Sequence, residues 1–246
     1  MNKLACIILA AGEGTRMKSR YAKVAHPLAG KPLICYVVEA AKALEPERIV
    51  VVVGHDAERV KTVVGGDVDF VEQREQRGTG HAVMRAKEIF AGYQGDLLIL
   101  SGDVPLITAE TLRKLLETHR NAAAACTLLS AVVKDPSGYG RIIRRANGKL
   151  LKIVEEEDAS LFEKAAEEIN AGIYVFSAIR LFQAIERLSP ENRQQEFYLT
   201  DVVGIFAGEG APVEAVQVDD AREVFGINDR EELARIEKIL QQKIQS

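Results

Sequence analysis

A chain of 246 residues, 47% of them hydrophobic, can bury a full core, which excludes a disordered chain and admits one large α/β domain or two small ones. With 36 acidic against 32 basic side chains the net charge is −4, so no global positive field exists to hold a nucleic-acid backbone or an anionic membrane; a bound anion has to be held locally. Three cysteines, Cys6, Cys35 and Cys126, are an odd number without metal-ligand spacing and lie in apolar stretches, the setting of buried reduced thiols.

Lys3 leads directly into Leu4–Ala11, an apolar run too short for a signal sequence with its cleavage site or for a membrane span, which points to a cytoplasmic protein. The run closes on Gly12 and reads as a strand buried on both faces. Helical periodicity over Pro32–Ala43, followed by the β-branched run Ile49–Gly54, completes a βαβ opening. The pattern repeats with a helix over His81–Phe90, a strand over Asp96–Asp103 that ends on a carboxylate, and a helix over Thr108–His119 whose Thr108 and Thr111 suit its start. From Cys126 to Val218 the character turns towards β, with strands predicted at Cys126–Val133, Gly140–Arg144, Leu150–Glu155, Ile173–Ser177 and Val213–Val218. Asp229 with Glu232 forms a capping-box pattern before a last helix whose Leu233, Ile236, Ile239 and Leu240 make one apolar stripe. These elements predict an α/β fold with a doubly wound, mostly parallel sheet and a mixed β extension carrying a substrate lid. Residues 1–228 form the main unit and 229–246 a C-terminal helix; no linker, repeat or low-complexity tract interrupts the chain.

Ala10-Ala11-Gly12-Glu13-Gly14-Thr15-Arg16-Met17 is a glycine-rich turn at the carboxyl end of the first strand, where open α/β sheets bind ligands. It is not the dinucleotide fingerprint, whose third glycine would fall on Met17, nor a Walker A loop, since no Gly-Lys-Ser/Thr follows. Two readings stand: backbone amides approaching phosphate oxygens with Arg16 and Lys23 as neutralising cations, or a tight turn that needs glycine, with both cations solvated. Asp103 should project from the same sheet edge, as a ligand of a hard cation or as a strand-end carboxylate. Asn228 is by spacing alone a helix cap. Gln73–Gly80 (QREQRGTG) precedes a helix and suits either a β-turn or a nucleotide contact. Glu155 lies in an acidic run, Glu155–Asp158, of the kind that commonly forms a solvated face. His26, His55, His81 and His119 show neither metal spacing nor a nucleophile partner and read as structural.

Leu9-Ala10-Ala11-Gly12-x-Gly14-Thr15-Arg16-Met17, followed by Lys23-Val24-x-His26-Pro27-Leu28-x-Gly30-Lys31-Pro32, resembles the signature of the nucleotide-sugar pyrophosphorylases, above all the uridylyltransferase domain of bifunctional bacterial members. The resemblance runs over essentially the whole chain and implies a Rossmann-like nucleotidyltransferase fold. It implies that the loop Leu9–Thr15 (Leu9, Ala10, Ala11, Gly12, Gly14, Thr15) wraps a triphosphate, that Arg16 and Lys23 stabilise the reacting phosphates, and that Gln73, Gly78 and Thr79 meet the uracil nucleotide. Ser101-Gly102-Asp103-Val104-Pro105-Leu106 and Gly226-Ile227-Asn228-Asp229-Arg230 resemble the metal-binding segments, which implies Mg²⁺ on Asp103 and Asn228. Gly140, Glu155 and Asn170 match sugar-binding positions. The family usually places proline before the lysine and leucine two after it; here Ala22 and Ala25 stand there, implying a looser loop around Lys23.

The implied reaction transfers UMP from UTP to N-acetylglucosamine 1-phosphate, releasing pyrophosphate, with no nucleic-acid, membrane or protein partner. The rivals are another sugar 1-phosphate or nucleotide, and a nucleotide-sugar sensor without turnover. The bifunctional members continue into a β-helix of hexapeptide repeats that acetylates glucosamine 1-phosphate; no such repeat occurs in this chain, so no acetyltransferase activity is expected.

Overall fold

The computed structural model describes residues 3–245; the ranges above that start at residue 1 or end at residue 246 extend just beyond them. In chain order the elements are β1 (Leu4–Ala10), the short antiparallel pair β2 (Pro27–Leu28) and β3 (Lys31–Pro32), α1 (Leu33–Lys42), β4 (Arg48–Val53), α2 (Ala57–Val64), β5 (Asp69–Glu72), α3 (Thr79–Ala86) and β6 (Asp96–Ser101). There follow α4 (Ala109–Asn121), β7 (Cys126–Val132), β8 (Arg141–Arg144), β9 (Leu150–Val154), α5 (Leu161–Lys164), β10 (Glu168–Ser177), α6 (Ala178–Ala184), α7 (Asp201–Gly208), β11 (Val213–Gln217) and α8 (Arg230–Gln245). The main sheet runs β11-β7-β10-β6-β1-β4-β5, and the β8–β9 hairpin hangs from β10 through Ile169 and Arg141. Pairings among β6, β1, β4 and β5 and between β11 and β7 are parallel; β10 is antiparallel to both its neighbours.

The first strand is apolar at every position because both faces of the sheet are covered. Leu4, Cys6, Ile8 and Ala10 enter a core shared with α1 and α4, whereas Ala5 and Ile7 enter the opposite core with α3, α6 and α7. The doubly wound prediction holds. From β1 the chain moves outward to β4 and β5, then crosses back to place β6 on the other side of β1. The reversal splays the connections leaving β1 and β6 and opens a crevice at their carboxyl ends.

Several boundaries move. The helix expected from His81 begins at Thr79 and tightens into a 3-10 turn at Lys87–Phe90. β10 starts at Glu168, five residues before the predicted Ile173, and its register shifts between Asn170 and Tyr174 where Gly172 takes φ +70°. That bulge interrupts the alternation on which the sequence reading relied. Helices α2, α5, α6 and α7 and strand β5 have no counterpart in the predicted elements. Thr108 caps α4 as expected, accepting from the Thr111 amide at 3.2 Å. Cys6 and Cys126 are buried, which pushes their thiols up, but Cys35 is only half-buried and donates to the Val63 carbonyl. No helix among the described residues is long and apolar enough to cross a membrane.

The final helix docks through a separate apolar cluster in which Ile236 and Ile227 pack against Leu28, Leu33 and Leu106. Ile236→Ala should lower unfolding stability by about 2–4 kcal/mol in urea titrations followed by circular dichroism, the cost of an unfilled cavity; a loss below about 1 kcal/mol would mean that the helix is not held by this cluster.

Candidate active site

The crevice contains two adjoining cavities. One, of 260 Å³, is walled by Leu9, Ala10, Ala11, Gly12, Lys23, Gln73, Gly78, Thr79 and Asp103, with Gln76 and Glu196 among the further residues. The other, of 210 Å³, includes Gly140, Glu155, Asn170 and Asn228. Leu9, Thr79, Ser101 and Asp103 belong to both walls, so the Asp103 carboxylate stands where the two spaces meet.

At that junction the Lys23 ammonium is ion-paired with Asp103 Oδ2 and donates to Asn228 Oδ1 at 2.9 Å. Asp103 is two residues beyond the end of β6 rather than within the strand. The Ile227 amide donates to the Asp103 carbonyl at 3.0 Å, which brings Asn228 alongside. Asn228 is not the helix cap. Asp229 caps α8, accepting from the Glu231 and Glu232 amides at 2.9 Å each, and Glu232 reaches back to the Asn228 amide at 2.6 Å. Asp229 therefore caps α8 where the Asp229–Glu232 pattern predicts, with only the return bond of Glu232 moved to the Asn228 amide, and the Asn228 side-chain oxygen faces Lys23. Arg230 ties the same segment to the glycine loop through the Met17 carbonyl at 3.2 Å.

The glycines serve different ends. A Cβ on Gly14, whose φ is +63°, would lie 2.5 Å from the Lys23 Cβ, so glycine is what lets the loop carry Lys23 against it. A Cβ on Gly12 would meet nothing within 4 Å, so no contact among the described residues demands glycine there. Gly14, Thr15 and Arg16 lie on a 3-10 turn outside both cavity walls, and the exposed Arg16 guanidinium has no hydrogen bond or ion pair among the described residues. Ala22 and Ala25 are both buried, and the Ala22 amide donates to Asp56, so the loop closes around Lys23 with alanine at both positions.

Gly78 and Gly80 allow the segment before α7 to pass: a Cβ on either would lie 2.6 Å or 2.9 Å from the Phe197 carbonyl oxygen. The Thr79 hydroxyl accepts from the Leu199 amide at 3.0 Å, so the turn predicted from Gly78-Thr79-Gly80 is spent partly on packing. Gln73 is buried, with its amide nitrogen 3.0 Å from the Gly78 carbonyl.

In the second cavity the Asn170 amide donates to the Gly140 carbonyl at 2.8 Å, and the Asn170 side chain donates to the Tyr174 hydroxyl at 2.7 Å. A Cβ on Gly140 would approach Glu155 Oε2 to 3.2 Å. The acidic run is not a solvated face. Glu155 turns inward and accepts from the Thr200 hydroxyl at 2.8 Å, Glu156 pairs with the buried Arg141, and Asp158 accepts from the Arg193 amide. Burial pushes the Glu155 carboxyl up, with Asp201, Asp158 and Glu196 adding to the shift and Thr200 opposing it. Sequence reasoning did not single out Gln76, Ser101, Glu196 or Thr200; Gln76 and Ser101 lie within quoted segments, and only the fold carries the Thr200 hydroxyl to Glu155.

Glu155 protonates more readily in the folded chain than in the unfolded one, so its ionisation opposes folding. That penalty is absent below the unfolded carboxyl range, about 4.3, and grows as pH rises through the folded value. Glu155→Gln should therefore raise the melting temperature at pH 7 and lose that advantage near pH 4 in calorimetric scans; an unchanged melting temperature at pH 7 would contradict the buried-carboxylate assignment. Gly14→Ala should cost about 1–3 kcal/mol of stability, whereas Gly12→Ala should stay within about 0.5 kcal/mol, both read from denaturant midpoints.

Residues 6–201 match the family model of the MobA-like NTP transferase domain. The bifunctional protein GlmU of Pelotomaculum thermopropionicum is 49% identical over 241 residues, covering 98% of this chain and 53% of its own length. That of Streptococcus sanguinis is 47% identical over 238 residues, covering 97% and 52%. The chain spans about half the length of the curated relatives it matches. Among solved structures, a UDP-glucose pyrophosphorylase complexed with UDP-glucose superposes with a TM-score of 0.78 at 17% identity, covering 99% of this chain and all of that one. A putative glucose-1-phosphate thymidylyltransferase from Bacillus anthracis in complex with a sucrose superposes at 0.77 with 20% identity, covering 96% and 94%. These two likenesses establish the shared fold. With a family model covering most of its length and the crevice of a doubly wound sheet carrying the matching loop, this chain belongs to the MobA-like NTP transferase family.

Proposed function

We propose that the chain transfers UMP from UTP to N-acetylglucosamine 1-phosphate, giving UDP-N-acetylglucosamine and pyrophosphate in the cytoplasm. The observation that carries this reading is the junction of two cavities at Asp103, Lys23 and Asn228: Asp103 belongs to both walls, Lys23 to the first and Asn228 to the second, and the three meet through the Lys23 ammonium, which supplies the charges phosphoryl chemistry needs. The GlmU relatives, at 46–49% identity over nearly the whole chain, support the choice of nucleotide and sugar.

A sugar-phosphate oxygen attacks the α-phosphorus of UTP while the bond to the bridging oxygen breaks and pyrophosphate departs with the electron pair. The attacking phosphate is already ionised, so no protein base is needed. The chain positions the reactants and stabilises charge. Leu9–Gly12 and Gly14-Thr15 cradle the phosphates, Gln73, Gly78 and Thr79 receive the uracil nucleotide, and Gly140, Glu155 and Asn170 hold the sugar, with Thr200 fixing Glu155. Arg16, without a hydrogen bond or ion pair among the described residues, is available to the departing pyrophosphate, and Lys23 to the reacting phosphates.

Asp103 and Asn228 present one carboxylate and one amide oxygen, and both already face a cation in Lys23; hard oxygen donors few in number suit Mg²⁺, which takes most of its ligands from phosphate and water. Among the described residues no group of three or more His, Cys, Asp or Glu side chains forms a denser metal site. Bound there, Mg²⁺ would neutralise phosphate oxygens as a Lewis acid. The catalytic unit in this reading is residues 1–228, against which α8 packs through Ile236.

Pyrophosphate release should be greatest with UTP and N-acetylglucosamine 1-phosphate among UTP, dTTP and CTP paired with that sugar or glucose 1-phosphate, and should need a divalent cation. Asp103→Ala should reduce it at least a hundredfold, and Arg16→Ala should lower kcat by roughly 10²–10³, about 3–4 kcal/mol, with KM nearly unchanged. Silence with every pair, from protein shown to be folded, would overturn the assignment.

A further inference from the structure

The hydrogen bonds around Gln73 fix which end of its side-chain amide is committed to the protein. One amide atom lies 3.0 Å from the Gly78 carbonyl oxygen and 3.0 Å from His81 Nδ1. A carbonyl oxygen only accepts, so this atom is the amide nitrogen, and its second hydrogen is left for Nδ1, which has to accept it. Acceptance requires a neutral imidazole protonated on Nε2. The Glu75 backbone beside the ring favours its protonated form. Withdrawal from water holds the His81 pKa below its ordinary value; Arg77 and Arg85 act in the same direction and the Glu75 carboxylate opposes them, so the ring is neutral at pH 7. The Gln73 amide oxygen has no donor among the described residues, and Gln73 forms part of the wall of the first cavity beside Gln76 and Gly78.

We propose that His81 is a positioning residue for base choice: by accepting from the Gln73 amide nitrogen, it keeps the Gln73 amide oxygen as the acceptor offered to the base. An acceptor at this point pairs with the N3–H of uracil or thymine and repels the unprotonated N3 of cytosine. The inference rests on the UTP reading above and adds to it the reason the amide cannot turn over. Rotation by 180° would place the amide oxygen against the Gly78 carbonyl and would require His81 to move its proton from Nε2 to Nδ1; without His81 only the Gly78 contact opposes rotation, and the amide can present its NH₂ group to cytosine at lower cost.

The test compares kcat/KM for UTP, dTTP and CTP in the wild-type chain, His81→Phe and His81→Asn. Phenylalanine keeps a ring beside Phe197, now 6.5 Å away between centroids, but has no acceptor; asparagine restores an acceptor near the position of Nδ1. His81→Phe should lower the UTP-to-CTP ratio roughly five- to tenfold while leaving the UTP-to-dTTP ratio unchanged, and His81→Asn should return the first ratio to near the wild-type value. Ratios do not depend on the folded fraction, and a merely structural role would depress all three substrates alike. An unchanged UTP-to-CTP ratio in His81→Phe, with the wild type still selective for UTP, overturns the role of His81 and leaves the UTP reading standing. A wild type that uses CTP as well as UTP overturns both.

Discussion

One shared ammonium organises the centre of this molecule. Lys23 comes from the loop after β1, Asp103 from the turn after β6, and Asn228 from the approach to α8, and their polar atoms converge at a largely sheltered point. A sheltered carboxylate is costly unless paired, and a sheltered ammonium is costly for the same reason, so each makes the other tolerable. The pairing then dictates backbone details at a distance. Gly14 must lack a side chain for Lys23 to lie against it, Ile227 must bond to the Asp103 carbonyl, and Asp229 rather than Asn228 must cap the last helix. Removing any of these would leave a charge or a polar oxygen without its partner.

The second cavity is arranged by a different device. β10 lies antiparallel between two strands of the opposite direction; its register shifts after Asn170, which pairs with Ser130 while its backbone amide donates to Gly140 and its side chain to Tyr174. The hairpin β8–β9 is fixed at its base by the buried Arg141, which pairs with Glu156, and this holds the adjoining Glu155 inward. Glu155 is kept in an environment that disfavours its charge, with one hydroxyl, that of Thr200, as a compensating donor. That carboxylate lies in the wall of the second cavity, beside Gly140 and Asn170.

Elements whose pattern is local were legible. β1 reads as apolar without interruption, and the parallel-sheet inference follows because only a strand covered on both faces tolerates that composition. Thr108 and the stripe on α8 were equally plain, since caps and helical periodicity are written within a few residues. The strand β10 was truncated in the reading because its first half carries Asn170 and Gly172, which break the alternation for the sake of the bulge. Short helices such as α6 and α7, largely buried beneath the sheet, carry too little amphipathic contrast to stand out from the loops around them.

By itself the sequence determined the doubly wound core, the glycine loop at the end of β1, and the residue types available for phosphate and cation chemistry, because composition and spacing along the chain are what those features consist of. Tertiary structure decided which of those residues meet. Asn228 could be told from a helix cap only once Asp229 was seen to occupy the cap, and the acidic run could be divided into a site carboxylate, an ion-pair partner and a loop anchor only once Thr200, Arg141 and Arg193 were in place. The physical reason is that a hydrogen bond or an ion pair is a matter of a few ångströms between atoms, and for partners 205 residues apart, as Lys23 and Asn228 are, no local pattern records that distance.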